Sequence, residues 1–194
     1  TLLAQPQISG PQSGTLGPGT YLVIGDISVE SGQTLTVLPG TTLLHNGNHT
    51  WMIYGQLNAD GSDADSIQFI RQSAISDHEW GGIRFQSGAS DASTLTYCVI
   101  DHCTQDGSTP YAFGAAVFCN GVDLAINHCR ISNCSNVFDG GGIYAVNSAV
   151  SINYCEIVDN ISDNDNNGGG IYLMMCSGAE VTHCTVARNE ATGT

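Results

Sequence analysis

The sequence has no lysine. Its cationic side chains are four arginines, Arg71, Arg84, Arg130 and Arg188, set against 18 aspartates and glutamates, for a formal net charge of -14. That potential repels phosphate backbones and anionic bilayer surfaces, so nucleic acid is not an expected partner. No apolar run is long enough to span a membrane as a helix. The opening residues, TLLAQPQISGPQSG, lack the basic end and apolar run of an export signal, which suggests a mature or trimmed terminus. No CxxC pair occurs among the eight cysteines, which removes the commonest zinc spacing. Stripes of apolar residues at helical spacing are also missing, which argues against a helical bundle.

What the chain does have is repetition. The segments LTYCVIDHC (95–103), INHCRISNC (126–134), INYCEIVDN (152–160) and VTHCTVARN (181–189) align column by column. One apolar column holds Leu95, Ile126, Ile152 and Val181, and another holds Ile100, Ile131, Ile157 and Val186. Between them stands a column of cysteines, Cys98, Cys129, Cys155 and Cys184, at steps of 31, 26 and 29 residues. A second marker, the small-small-apolar triplet ending at Ile83, Val117, Ile143 and Ile171, steps by 34, 26 and 28. Such a period belongs to stacked repeats, and the short alternating runs rich in β-branched residues make each repeat a coil of several strands. Parallel stacking places like residues on like, about 4.8 Å apart, with main-chain hydrogen bonds between coils. Glycine permits tight corners and close stacking. Asn160 and Asn189 share one corner, where their amides can satisfy backbone groups, and Cys103 and Cys134 hold that corner in earlier coils.

GGGIY, INHCRISNC and INYCEIVDN resemble coils of the right-handed parallel β-helix superfamily, the fold of pectate lyases and of many secreted and surface proteins. Residues 21–70, with SGQTLTVLPGT, resemble the opening coils of bacterial surface-exposed members. The likeness covers roughly residues 20–189. It implies an all-β, right-handed parallel β-helix with coils of 26–34 residues. The expected divisions are an extension or linker over 1–20, capping and first coils over 21–80, and regular coils over 81–194, with the last repeat cut short. The resemblance implies an extracellular or cell-surface, structural or adhesive module, whose partners would be extracellular glycans or other surface components. A carbohydrate-active enzyme, or a filament subunit that associates end to end, is the alternative.

Three chemistries compete for the cysteines. Cys98, Cys129, Cys155 and Cys184 suit a ladder of small buried side chains. Disulfides between stacked neighbours are geometrically awkward, with Cys103 and Cys134 the best-placed exception. Zinc would need a tetrahedral set that the spacings do not supply. For calcium, the loop DNDNNG offers Asp163, Asp165 and Asn167, with Asp159 nearby; its alternating oxygen-bearing residues closed by glycine match the start of a calcium loop, but Met174 stands where a bidentate Glu belongs. Asp60, Asp63 and Asp65 form a second acidic stretch. The plainer reading of both is a solvated turn.

No catalytic residues are assigned. A polyuronate lyase would bind an anionic polymer through basic side chains, which are scarce here. A hydrolase needs two carboxylates on one face, for which Asp101 with Asp106, or Asp139 with Asp159, are the candidate pairs. Arg130 and Glu156 share a column on adjacent coils and should form a surface ion pair of little energetic worth. Tyr97, His128, Tyr154 and His183 share an outward column, an aromatic and imidazole ridge suited to stacking on sugar rings. Trp51 and Trp80 are expected to pack at coil boundaries. Asn48, Asn133 and Asn160 lie in NxS/T strings, although the last two fit turn roles. The loops 104–112 and 159–168 are the expected recognition surfaces.

Overall fold

The structure, a computed structural model, describes residues 5–73, 79–105, 113–163 and 167–192. These contain 24 strands and no helix, arranged as sheets of 13, 7 and 4 strands in which neighbours run parallel. The largest sheet supplies two faces of the solenoid. They are joined through the long strand Gly19–Val29, which pairs with Thr41–His45 at its start and Trp51–Ile53 at its end.

Each regular coil has four strands. The first strands, Ile83–Phe85, Val117–Asn120, Ile143–Val146 and Ile171–Met174, stack in register. The second strands are Thr94–Thr96, Ala125–Asn127, Ser151–Asn153 and Glu180–Thr182. The third are Cys98–Asp101, Arg130–Ser132, Glu156–Val158 and Thr185–Ala187, and short fourth strands begin at Thr104, Ser135, Ile161 and Glu190. The registers Ile83↔Val117↔Ile143↔Ile171 and Leu95↔Ile126↔Ile152↔Val181 are the columns expected from the sequence. Period-2 alternation puts them inside, and all but the last member of each are fully buried. In the last coil, with nothing stacked above among the described residues, Val181 and Val186 are 40% and 50% exposed.

The corners are as regular as the strands. Tyr97, His128, Tyr154 and His183, between second and third strands, have φ near +50°, as do His102, Asn133, Asp159 and Arg188 between third and fourth. One left-handed residue thus turns the chain at each of these corners. The corner before each first strand is set by glycine. A Cβ on Gly141 would lie 2.3 Å from the Gly169 carbonyl oxygen and 2.4 Å from that of Ile161, so no side chain fits there.

One difference from the sequence reading concerns the first coils. Part of the segment expected as an extension is integrated into the solenoid: Gln7–Pro11 pairs with Gly19–Val29, and Gly14–Leu16 pairs with Thr34–Val37. Trp51 and Trp80 pack as expected, and both are fully buried. A polar partner is placed inside with them. Trp51 Nε1 donates to His45 Nε2 at 3.0 Å, His45 Nδ1 donates to the Ile70 carbonyl at 3.0 Å, and the Trp80 ring stacks on His45 at 4.0 Å. This arrangement fixes the neutral Nδ1–H tautomer, and burial pushes the His45 pKa down to about 3.

Candidate functional site

The ridge is built by the corner after the second strand. The rings of Tyr97, His128, Tyr154 and His183 stack in sequence at centroid separations of 4.6, 5.0 and 4.6 Å, with interplanar angles of 21°, 13° and 11°. The inter-coil repeat of a parallel sheet is what brings them to this distance. Each ring therefore turns its faces to its neighbours, and the outward surface of the column is ring edge: phenol hydroxyls alternating with imidazole nitrogens. Tyr154 is 56% exposed. Sugar stacking on ring faces, as expected from sequence, is thereby limited to the two ends of the column. Its flank offers hydrogen bonds.

Beside the ridge lies the outer surface of the third strands. Arg130 pairs with Glu156 across coils, both nearly half exposed. Farther along, Asp101 accepts hydrogen bonds from Ser132 Oγ at 2.7 Å, Asn133 Nδ2 at 2.8 Å and the His102 ring. Burial would raise the Asp101 carboxyl, but these donors outweigh it and hold it below the usual carboxylate range. At the next corner Arg188 grips Asp159 through Nε and an Nη, both at 2.6 Å, and this pairing depresses the Asp159 pKa. Ridge, Arg130–Glu156 pair and Asp101 cluster together make a flat polar face bounded by two stacked corners.

The described members of the set singled out for calcium are engaged with other partners. Asp159 is held by Arg188, Asp163 Oδ1 accepts from Thr192 Oγ1 at 2.6 Å, and Asn167 donates its backbone N–H and its side-chain amide to Asp139 Oδ1. Asp165 lies outside the described residues. No cluster of three or more His, Cys, Asp or Glu with metal-holding geometry occurs among the described residues. Asp60 accepts from Thr94 Oγ1 instead. Of the carboxylate pairs weighed for hydrolysis, Asp139 and Asp159 are engaged with Asn167 and Arg188, while Asp106 is outside the described residues.

The cysteines are all free thiols. Cys98, Cys129 and Cys155 are buried in a ladder that ends at the half-exposed Cys184. The backbone N–H of each donates to the sulfur of the next: Cys98 to Cys129 and Cys129 to Cys155 at 3.4 Å, Cys155 to Cys184 at 3.3 Å. At the following corner Cys103 N–H donates to Cys134 Sγ at 3.4 Å, then Cys134 N–H to Asn160 Oδ1 and Asn160 N–H to Asn189 Oδ1, both at 3.0 Å. Thiol and amide are doing one job there. Burial raises the Cys103, Cys119, Cys129 and Cys184 thiols, and for Cys155 the contact with Cys129 is the first cause and burial the second.

A second aromatic column was given no role by sequence reasoning. Arg84, Phe118, Tyr144 and Tyr172 follow the small-small-apolar triplets and share the outer face of the first strands. Phe118 and Tyr144 stack at 5.7 Å but are only 6% and 4% exposed, and Phe113 leans on Tyr144 at 4.7 Å. Arg84 is fully buried. Its guanidinium donates to the carbonyls of Gly114 and Ala115, Nε has no partner, and burial pulls its pKa down to about 10. The position directly after each triplet was the available signal. This column is packed; the ridge is open.

The family described as "Right handed beta helix region" matches residues 26–194, and with parallel sheets wound round a common interior the chain belongs to that family. No curated protein and no solved structure matches the chain.

Proposed function

We propose that this chain is an extracellular or cell-surface β-helix module with an adhesive role, engaging glycans or other surface components through the Tyr97–His183 ridge and the polar face beside it. One observation carries this reading. Four successive coils place a ring side chain at a left-handed, outward corner, a backbone conformation that costs bulky residues about 1–2 kcal/mol and that glycine or asparagine fills more readily. Asn133 and Asn147 fill other such positions, which His102, Asp159, Met175 and Arg188 also occupy, but only this corner keeps a ring in all four coils. Ring stacking offsets part of that cost; presentation of ring edges to a partner accounts for keeping rings at this corner.

Those edges recur at the coil spacing, so a ligand lying along the rod meets a hydroxyl or imidazole nitrogen at every step. The net charge of -14 disfavours anionic polymers and leaves neutral or cationic surfaces. The test is a glycan array probed with the labelled protein and with Tyr154→Asn and His128→Asn, which suit the left-handed backbone and delete the rings. Binding that falls in both variants supports the reading. Binding indifferent to both, or none at all, sinks it.

A further inference from the structure

The corner between the first and second strands of the N-terminal coils carries an open groove of about 230 Å³, whose walls include Gln33, Thr34, Tyr54, Gln56 and Ser90. In a chain with 18 acidic residues, none of the residues lining it is charged. An ionic ligand finds no counter-charge in it. Tyr54, 37% exposed, supplies an aromatic wall, and the other four side chains are hydroxyls or amides, each able to donate and accept.

Several of these groups retain hydrogen-bonding capacity. Gln56 Nε2 donates to Asn58 Oδ1 at 2.9 Å and to the Ala92 carbonyl at 3.2 Å, which orients the amide and leaves Oε1 to accept. Ser90 Oγ accepts from Ala92 N–H at 3.2 Å and keeps its own O–H to donate. The side chains of Gln33 and Thr34 are both exposed. The floor is fixed by Gly55, where a Cβ would lie 2.3 Å from the carbonyl oxygens of both Gln33 and Glu30. Gly32 on the rim is different: a Cβ there meets nothing within 4 Å.

We infer that this groove binds a single neutral sugar ring. A pyranose has an apolar C–H face that matches an aromatic wall, and hydroxyls that match bifunctional neutral partners. The volume is below the roughly 300–1,000 Å³ of common ligand pockets, which suits one ring, terminal or branching, rather than a run of polymer. The inference rests on the glycan-binding reading above but uses a different corner and different residues from the ridge.

Isotope-labelled protein would be titrated by NMR with the methyl glycosides of glucose, galactose, mannose and N-acetylglucosamine, and with galacturonate as the charged counterpart. Saturable shifts of the Gln33, Tyr54 and Gln56 amides by at least one neutral sugar, and not by galacturonate, are expected. Tyr54→Ala should weaken that binding about tenfold. Gly32→Asn, which keeps the left-handed φ of +74° and puts a side chain into open space, should block it with the later coils' signals unchanged. Galacturonate binding as well as galactose, or neutral sugars leaving these amides unmoved, overturns the groove. If the array shows ridge-dependent binding while the groove stays silent, only the groove is lost; silence at both removes both.

Discussion

The sulfur of Cys129 stands 3.4 Å from the backbone nitrogen of Cys98, one coil away and in line to accept its hydrogen. The left-handed residue before each cysteine turns the chain and takes the next N–H out of the sheet ladder, and a buried N–H left unpaired is costly. The thiol of the following coil fills that vacancy. Cys129→Ala should therefore lose an acceptor as well as volume, lowering stability by about 1–3 kcal/mol in denaturant unfolding.

Later coils solve the same problem with asparagine, as Asn160 and Asn189 do. Cys134→Asn should accordingly be tolerated, with a melting temperature equal to or above that of the parent. Cys134→Ala should lie clearly below both, and equal melting of the two variants would refute the shared role of thiol and amide.

Stability should fall with acid through His45. Its pKa is about 3 when folded and about 6.5 when unfolded, so below pH 6.5 the unfolded chain takes up a proton that the native chain refuses. The contribution is complete above pH 6.5 and is lost as pH drops toward 3, at up to about 1.4 kcal/mol per pH unit. Urea midpoints at pH 7, 6, 5 and 4 should show a slope that His45→Gln reduces. The depressed Asp101 carboxyl acts in the same direction in a lower window, below its usual value of 3.8.

Backbone conformation gives a prediction separable from binding. At residue 154, Tyr154→Gly and Tyr154→Asn should each be more stable than Tyr154→Ala by about 1 kcal/mol, because alanine keeps the left-handed strain and forfeits the ring stacking. Thermal melts of the three proteins decide this.

Gly141→Ala should be a strongly damaging single-methyl change. Its added carbon meets two backbone oxygens that cannot move without parting the coils, so a loss of about 3 kcal/mol or more is expected by denaturant unfolding.

The stacking order was legible because like residues recur at a fixed step, and the two markers gave the observed registers directly. The left-handed corners were also written in the sequence but passed over. Leu95 and Cys98 both point inward at a separation of three, as do Ile100 and Cys103, whereas a continuous strand requires an even spacing. Those odd steps mark Tyr97 and His102 as corners. Other features had no local signal. The neutral His45 between two tryptophans, the buried Arg84 and the groove at Tyr54 each depend on residues from different strands, brought together only by winding. The ring column shared both characters: its spacing was visible, but the mutual covering of ring faces needed the measured 4.6–5.0 Å separations.

The thiol column has a consequence for biogenesis. A thiol attacks or oxidises through its thiolate, and burial keeps the sulfurs of Cys103, Cys119 and Cys129 protonated well above neutral pH. A chain with eight cysteines and no disulfide has no native pairing to search for. Its coils can wind without oxidant or isomerase, and once wound they shield from oxidation the sulfurs that close their corners.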